Sequence, residues 1–282
     1  MRRILLMICC LLLGGMPARA AVTMLDSCGQ TVDDAVLAAD LDCSATEGFA
    51  VTIAAGGRLS LAGHQIVSGF LFNGTSGGVL CLGNCMIEGA GGSLVSAFQP
   101  GVYGGVYPRG VQAPYYGRGT VTISGTTISG YNTAVIGKFL IVDSSTFTNN
   151  IEGLLSRAIT ITNSTIAGTY DGIMSSSIMR ARKLTISDCS FSGSSSVYGG
   201  RVQMTRTTVT GMQYYGVWVG RKSYLEDSVI TGNCLTDLPI PCADIYAESW
   251  RPPVLVDTTC ETSIRDSPHS MQIETWGICS LD

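Results

Sequence analysis

The sequence predicts an all-β solenoid: a single-stranded, right-handed parallel β-helix with about 20 residues per coil and disulfide-tied end caps. Three observations predict it. An apolar pattern recurs along the chain, Ser and Thr alternate with Ile and Val in short stretches, and cysteines gather near the two ends. The chain is also rich in Gly, Ser and Thr and poor in Lys and Glu, a composition that disfavours long helices.

Each predicted coil begins with an aliphatic residue. A second apolar residue follows five positions later, and a small or turn-forming residue two positions after that, as in Ile123, Ile128 and Gly130. The leading residues are Leu61, Leu82, Ile123, Val142, Ile161, Ile186, Met204 and Leu225. Ile123 and Leu225 are five repeats and 102 residues apart, which gives the mean period.

The shortness of the predicted strands requires that the coils stack. Strands of about three residues do not form a stable sheet from local hairpins, but each can pair with its equivalent in the next coil, about 4.8 Å away. Asn and Asp residues two positions after the leading aliphatic residue of several coils are expected to form a ladder of turns. They are Asn84, Asn163, Asp188 and Asp227. A leucine-rich repeat would show a Leu/Asn consensus, and a β-propeller would need a longer period.

The first 20 residues indicate export. Arg2-Arg3 precede an apolar run at residues 4–13, and Ala18-Arg19-Ala20 forms a cleavage site, so residues 1–20 are predicted to be a signal peptide. The alternative, a membrane anchor, would need roughly 20 apolar residues. We therefore expect a secreted protein, extracellular or periplasmic, without a membrane span in its mature chain. That chain has 14 basic and 21 acidic residues, which argues against a nucleic-acid partner.

Nine cysteines remain after removal of the signal peptide, and in an exported chain they are first interpreted as disulfides. Pairing by proximity, with the connectivity left open, gives Cys28–Cys43, Cys81–Cys85, Cys234–Cys242 and Cys260–Cys279, with Cys189 free. A zinc site is the alternative, but the chain has no CxxC pair and only two histidines.

The predicted organisation after the signal peptide has three parts. These are an N-terminal cap at residues 21–50, coils at 51–233 with an irregular insertion at about 95–117, and a disulfide-rich C-terminal cap at 234–282. Thr31-Val32-Asp33-Asp34 predicts a short capped helix over residues 31–40. The insertion is either a binding loop or a flexible excursion.

These features together resemble exported bacterial proteins of the pectin-lyase-like superfamily of right-handed parallel β-helices. The resemblance is most specific in Leu41-Asp42-Cys43, Leu59-Ser60-Leu61-Ala62-Gly63-His64-Gln65-Ile66 and Thr275-Trp276-Gly277-Ile278-Cys279. The superfamily includes pectate lyases, polygalacturonases and alginate epimerases, so the resemblance implies a polysaccharide ligand. A fold alone does not establish an activity.

The catalytic signatures of that superfamily are not intact in this sequence. Asn132-Thr133-Ala134 has alanine where polygalacturonases have aspartate, Gly63-His64-Gln65 matches only part of their Gly-His-Gly, and Asp266-Ser267-Pro268-His269 interrupts the Asp-Pro-His of epimerases. The carboxylates that could bind calcium, Asp171, Asp188 and Asp227, lie in three different coils. We therefore assign no catalytic residue, metal site or cofactor, and calcium dependence stays open.

A column of cations is the most unusual pattern in the chain. One cation stands three to five residues before the leading aliphatic residue of six successive coils. The six are Arg118, Lys138, Arg157, Arg182, Arg201 and Arg221, and Arg180, Lys183 and Lys222 lie beside them. Like charges stacked about 5 Å apart repel by about 1 kcal/mol even in water, so a counter-charge is expected. It is either an internal carboxylate, such as Asp143, Glu226 or Asp227, or a bound polyanion.

Three functions are compatible with these patterns: binding of an acidic polysaccharide, divergent polysaccharide lyase, epimerase or hydrolase activity, and a structural or adhesive role in the cell envelope. The cation column favours the first function, with an acidic polysaccharide as partner and a monomeric protein. Four aromatic residues just upstream of the cations could stack on sugar rings or could cover the coil. They are Tyr198, Tyr214, Tyr215 and Trp218.

Overall fold

A computed structural model shows the chain as an all-β protein. It describes residues 22–69, 76–97, 108–114, 119–168, 179–193, 196–235, 242–249, 251–266 and 273–282. The predicted signal peptide, Arg118, Asp171 and most of the predicted insertion at 95–117 lie outside these residues. Within the described ranges there are 26 strands and no helix, so none that could span a membrane.

The first half of the chain contains strands β1 (Thr23–Leu25), β2 (Gln30–Leu37), β3 (Leu41–Cys43), β4 (Phe49–Ser60), β5 (Gln65–Ser68), β6 (Gly77–Cys81), β7 (Cys85–Glu88), β8 (Ser93–Ser96), β9 (Arg109–Gln112), β10 (Thr120–Ser124), β11 (Thr127–Ser129), β12 (Thr133–Asp143) and β13 (Thr146–Thr148). The second half contains β14 (Glu152–Thr162), β15 (Thr165–Ala167), β16 (Met179–Ser187), β17 (Ser190–Ser192), β18 (Val197–Thr205), β19 (Thr208–Thr210), β20 (Tyr215–Glu226), β21 (Val229–Thr231), β22 (Ala243–Ala247), β23 (Val254–Val256), β24 (Thr259–Cys260), β25 (Ser263–Asp266) and β26 (Ile273–Thr275).

The strands form two sheets. The 16-stranded sheet A contains the long strands β12, β14, β16, β18 and β20 as consecutive neighbours, and the 10-stranded sheet B runs in the order β24-β21-β19-β17-β15-β13-β11-β8-β5-β3. The strand pairs are parallel, except for the antiparallel pair of β25 with β26. Successive segments of the chain therefore return to the same two sheets in order.

Leu61 and Leu82 are not ladder residues as predicted: Leu82 is 53% exposed, and Leu59 and Ile87 occupy the positions before Ile123. The other six leading aliphatic residues of the sequence repeat form one ladder on sheet A. In order, it joins Ile123, Val142, Ile161, Ile186, Met204 and Leu225. The apolar residues five positions later form the matching ladder on sheet B: Ile128, Phe147, Ile166, Phe191, Val209 and Ile230. All twelve side chains are at most 1% exposed. The two ladders therefore form a continuous apolar core, stabilised by about 25 cal/mol for each Å² removed from water.

The long strands of sheet A bend once. In β16, Ala181 and Leu184 are buried, whereas Arg182 and Lys183 between them are exposed. Successive side chains of a straight strand alternate between its two faces, so two consecutive outward residues mark a corner. In three repeats two shorter strands replace the long strand: β6 and β7, between which the Cys81–Cys85 disulfide lies, β9 and β10, and β22 and β23.

A second bend separates the end of each long strand from the following strand of sheet B. Its first residue has φ between 46° and 55°, the left-handed conformation that Asn and Asp tolerate best. These residues are Ser144, Asn163, Asp188, Arg206, Asp227 and Asp257. Three of the four residues of the expected turn ladder adopt this conformation. The fourth, Asn84, instead accepts a hydrogen bond from the backbone N–H of Thr120 at 2.9 Å.

The helix predicted at residues 31–40 is wrong, because residues 30–37 form strand β2. Val32, Ala35 and Leu37 are buried, and β2 pairs with β1 on one side and β4 on the other. Pairing with β4 prevails over the helix-capping signature, because a parallel partner satisfies the backbone N–H and C=O groups at the edge of β4. Parallel pairing thus extends N-terminal to the predicted coils, and β22–β25 extend it at the other end.

Disulfides join Cys28 to Cys43, Cys81 to Cys85, Cys234 to Cys242 and Cys260 to Cys279. These are the pairs that proximity in the sequence indicates. Cys189 is the free, buried cysteine of the described part of the chain. Three of the four bridges therefore fasten the first and last repeats, where strands have fewer neighbours.

Candidate functional site

The bend in sheet A carries most of the predicted cation column. Seven cations occupy it, and we call them the basic corner: Lys138, Arg157, Arg182, Lys183, Arg201, Arg221 and Lys222. Six are exposed and Lys138 is half-buried. Parallel pairing of β12, β14, β16, β18 and β20 brings these side chains together, because it repeats the same bend at the strand spacing of about 4.8 Å.

The register shows that the column is stepped. Lys183 pairs with Arg201, which pairs with Lys222. Arg182 lies one position before this ladder because it stands four residues ahead of Ile186, whereas Arg201 stands only three ahead of Met204. The single column expected from the sequence is therefore two adjacent columns, and both face outward at the corner.

The members of the basic corner have no carboxylate within 4 Å among the described residues. Ion pairs form elsewhere in that part of the chain, as in Arg58–Glu88, Arg206–Asp188 and Arg265–Glu274. The corner therefore concentrates positive charge without an ion-paired carboxylate in the part of the molecule that the structure describes, and Glu248 is a neighbouring carboxylate at one end, where it lines a depression with Arg201, Arg221 and Lys222.

Internal carboxylates are instead used at the second bend. The carboxylate of Asp143 accepts hydrogen bonds from Thr162, Asn163 and Ser144, which lower its pKa. Asp188 binds the Arg206 guanidinium through two oxygens, at 2.7 and 2.8 Å, and this contact lowers the pKa of Asp188. These groups connect neighbouring repeats and are not oriented toward the basic corner.

An aromatic ladder lies just before the bend on the outer face of sheet A. Tyr198 pairs with Trp218 and Trp218 with Tyr246, and the successive rings meet edge to face at 5.0 and 5.4 Å. Tyr215 stacks on Tyr246 at 4.5 Å. Arg180 precedes Tyr198 in the ladder, with its guanidinium 5.8 Å from the ring centroid. The ladder and the basic corner therefore run side by side.

Two carboxylates hold the aromatic ladder in place. Trp218 Nε1 donates to Glu248 Oε1 at 3.0 Å, and the Tyr246 hydroxyl donates to Asp266 Oδ1 at 2.7 Å. Burial and the neighbouring Asp266 raise the pKa of Tyr246, so its phenol stays protonated as a donor. Tyr246 was not anticipated, because it lies beyond the recognisable repeat. Tyr214 was predicted from the sequence to belong to the aromatic group, but it makes no ring contact with other described residues.

The basic corner ends at a depression of about 380 Å³. Its lining includes Arg201, Arg221 and Lys222 from the corner, and Glu248 and Arg251 from the loop after β22. Gly220 lies between these groups. A Cβ added there would meet Glu248 Oε2 at 3.4 Å and the Tyr198 hydroxyl at 3.6 Å. The glycine therefore leaves space in which two polar groups and several cations face one another.

No catalytic constellation is assembled in the described ranges. His64 Nδ1 lies 3.4 Å from Asp40 Oδ1, so its neighbour is a single carboxylate from the preceding segment. Thr133 of the altered triplet donates to Glu152 at 2.9 Å. No group of three or more His, Cys, Asp or Glu residues suited to a metal occurs among the residues that the structure describes.

Comparison with known proteins gives no match: no family model, no curated protein and no solved structure is similar to this chain. The resemblance to the pectin-lyase-like superfamily thus receives no support from a relative.

Proposed function

We propose that the chain is an exported, right-handed parallel β-helix that binds an acidic polysaccharide along its basic corner. The ordered return of the chain to two parallel sheets supports the helical winding. Parallel strands joined by a crossover in one sheet are connected in the right-handed sense in about 98% of cases, which supports the handedness. The four disulfides support an oxidising compartment and therefore export.

The observation that carries the binding proposal is the stack of seven cations, none of which forms an ion pair with a carboxylate in the described residues. Neighbouring cations repel, so a ligand that supplies one negative charge after another along the stack relieves several repulsions at once. A linear polyanion meets this requirement, and the corner runs in the direction of strand stacking. The adjacent rings of Tyr198 and Trp218 favour a glycan over other polyanions, because sugar rings offer apolar faces for stacking.

A divergent lyase is the second candidate. Glu248 lines the same depression as Arg201, and the Tyr198 hydroxyl lies 3.6 Å from the Cβ position of Gly220 beside it, an arrangement that would allow proton transfer next to a bound acidic sugar. Glu248 also accepts a hydrogen bond from Trp218 Nε1, which gives this carboxylate a structural role that competes with proton transfer. A structural or adhesive role has no comparable observation in its favour.

The experiment that tests the proposal is retention of the mature protein on immobilised acidic and neutral polysaccharides, with the products assayed for new unsaturated ends. We expect retention on acidic polymers only, without new ends. Retention on neutral polymers, or none at all, would contradict binding through the corner. New unsaturated ends would favour the lyase.

A matched pair of variants assigns the retention to the corner. Arg201→Ser and Arg206→Ser each remove one exposed arginine from the same strand or its following turn, but Arg206 is paired with Asp188 at the second bend. We expect Arg201→Ser to weaken retention and Arg206→Ser to leave it unchanged. Equal effects of the two variants would show that binding depends on net charge alone.

A further inference from the structure

The depression at the end of the basic corner differs from the rest of the corner in the segments that supply its cations. Arg201 comes from β18, Arg221 and Lys222 from β20, and Arg251 from the loop after β22. Elsewhere on the corner, the cations come from successive strands of sheet A. Here Arg251 adds a cation from a loop to those of β18 and β20, and all four line one depression.

The number of these donors and their origin in separate segments fit some anions better than others. A carboxylate presents two oxygens in one plane, and a single guanidinium can satisfy it through two parallel hydrogen bonds. Sulfate and phosphate groups present three or four oxygens in different directions, and guanidinium and ammonium groups can reach them from several sides. Cations from three segments therefore match a tetrahedral oxyanion.

Glu248 is the one carboxylate among the lining residues of this depression that the structure describes. Its Oε1 accepts the hydrogen bond from Trp218 Nε1, while its Oε2 points toward the Cβ position of Gly220. A carboxylate at this place partly neutralises the cations, and it repels an anion that enters the same space. Glu248 is thus both the anchor of the aromatic ladder and a competitor of an incoming anion.

We infer that this depression is a binding site for a tetrahedral oxyanion, the sulfate or phosphate group of a glycan or the free ion, and that Glu248 weakens its affinity. The site shares Arg201, Arg221 and Lys222 with the proposed polysaccharide interface and rests on that function for its biological ligand. Occupation by a small inorganic anion does not depend on the polymer.

The test is calorimetric titration of the mature protein with sodium sulfate and sodium phosphate at low ionic strength, with sodium acetate as the carboxylate control. Arg221→Ser is expected to weaken sulfate binding by about tenfold or more, which corresponds to one charge-assisted hydrogen bond. Glu248→Gln is expected to tighten it by about fivefold, because it removes a repulsion of about one charge pair in water and its side-chain oxygen can still accept from Trp218. Arg206→Ser, which removes an arginine that is paired with Asp188 outside the corner, is the control and should not change sulfate binding.

The outcomes separate the site from the polysaccharide function. Acetate binding as tightly as sulfate, or Glu248→Gln without effect while the melting temperature is unchanged, would overturn the oxyanion site. Sulfate binding without retention on any acidic polymer would support the site and contradict the polysaccharide function. If acidic polymers are retained, Lys138→Ser weakens this retention and neither inorganic anion binds, the polysaccharide interface would be supported and the oxyanion site contradicted. A sulfated and a carboxylated polymer of equal charge then identify the source of the anion.

Discussion

Cys189 occupies a position that Ser or Thr fills in neighbouring repeats. The hydroxyls of this position, buried in five repeats and half-buried at Thr258, donate to the carbonyl two residues earlier: Thr126, Ser145, Ser164, Thr207, Ser228 and Thr258. The Cys189 thiol donates to the Ser187 carbonyl at 3.0 Å, and the Ser164 backbone N–H donates to its sulfur. Hydrogen bonding, as well as burial, therefore favours a side chain at position 189 that can both donate and accept a hydrogen bond.

We expect Cys189→Ser to keep the stability of the protein to within about 1 kcal/mol, because serine makes the same two hydrogen bonds. Cys189→Ala should lower the free energy of unfolding by about 1 kcal/mol or more, because the Ser164 N–H loses its acceptor. Urea unfolding of the two variants checks this. Equal stability of the alanine and serine variants would show that the hydrogen bonds at this position are unimportant.

The same thiol gives a pH dependence. Burial raises the pKa of Cys189 to about 11, above the value of about 8.5 for an unfolded chain. Because the folded pKa is the higher one, the stabilisation is fully present below about pH 8.5 and is lost as the pH rises toward 11. The wild-type protein should therefore lose more stability than Cys189→Ser between pH 8 and pH 10. Parallel losses in urea unfolding would contradict the burial of the thiol.

At the scale of the strand and its connections, Asp244 in β22 joins three segments. It is 1% exposed, and its carboxylate accepts hydrogen bonds from Asn233 Nδ2 at 2.8 Å and from the backbone N–H groups of Glu261 and Thr262 at 2.8 and 3.1 Å. This carboxylate therefore holds the segment after β21 and the turn before β25 against β22.

We expect Asp244→Ala to destabilise the protein by about 3 kcal/mol or more, because several donors lose a charged acceptor. Asp244→Asn should be intermediate, since its carbonyl oxygen retains part of the acceptor function. Glu261→Gln, which leaves the backbone donor in place, is the matched control. A urea midpoint for Asp244→Ala equal to that of the control would exclude this role.

The repeating strands could be predicted from the sequence, and their details could not. Leading residues such as Ile161 and Met204 are identified by local spacing, which the ladder preserves. Strand β2 was mistaken for a helix because a capping signature is visible within a few residues, whereas the pairing of β2 with β4 depends on residues distant in the sequence. The step between Arg182 and Arg201 was missed because cations three to five residues before the leading residue were grouped together, whereas strand pairing separates offsets of four and three residues. Tyr246 was missed because it joins the aromatic ladder from outside the repeat.

Over the whole molecule, charge is segregated by surface. The ten strands of sheet B contain one charged residue, Asp42, and their outward positions are mostly Ser and Thr. The chain has a formal net charge of −4, yet seven cations stand together at one corner of sheet A. The attraction of a polyanion therefore depends on a local field and not on the net charge.

This segregation leads to a prediction about salt. The double variant Arg182→Ser/Arg201→Ser removes one cation from each of the two columns of the corner. We expect it to weaken binding of an acidic polysaccharide and to reduce the dependence of affinity on salt, because exposed charges are screened beyond about 8 Å at physiological ionic strength. Its melting temperature should stay close to that of the wild type, because exposed charges contribute only about 0–1 kcal/mol each. The measurement is the affinity of wild type, the double variant and the control Arg206→Ser for the polysaccharide at increasing concentrations of sodium chloride. A double variant that unfolds at lower temperature but binds with wild-type affinity would mean that these arginines support the strands and do not contact the glycan.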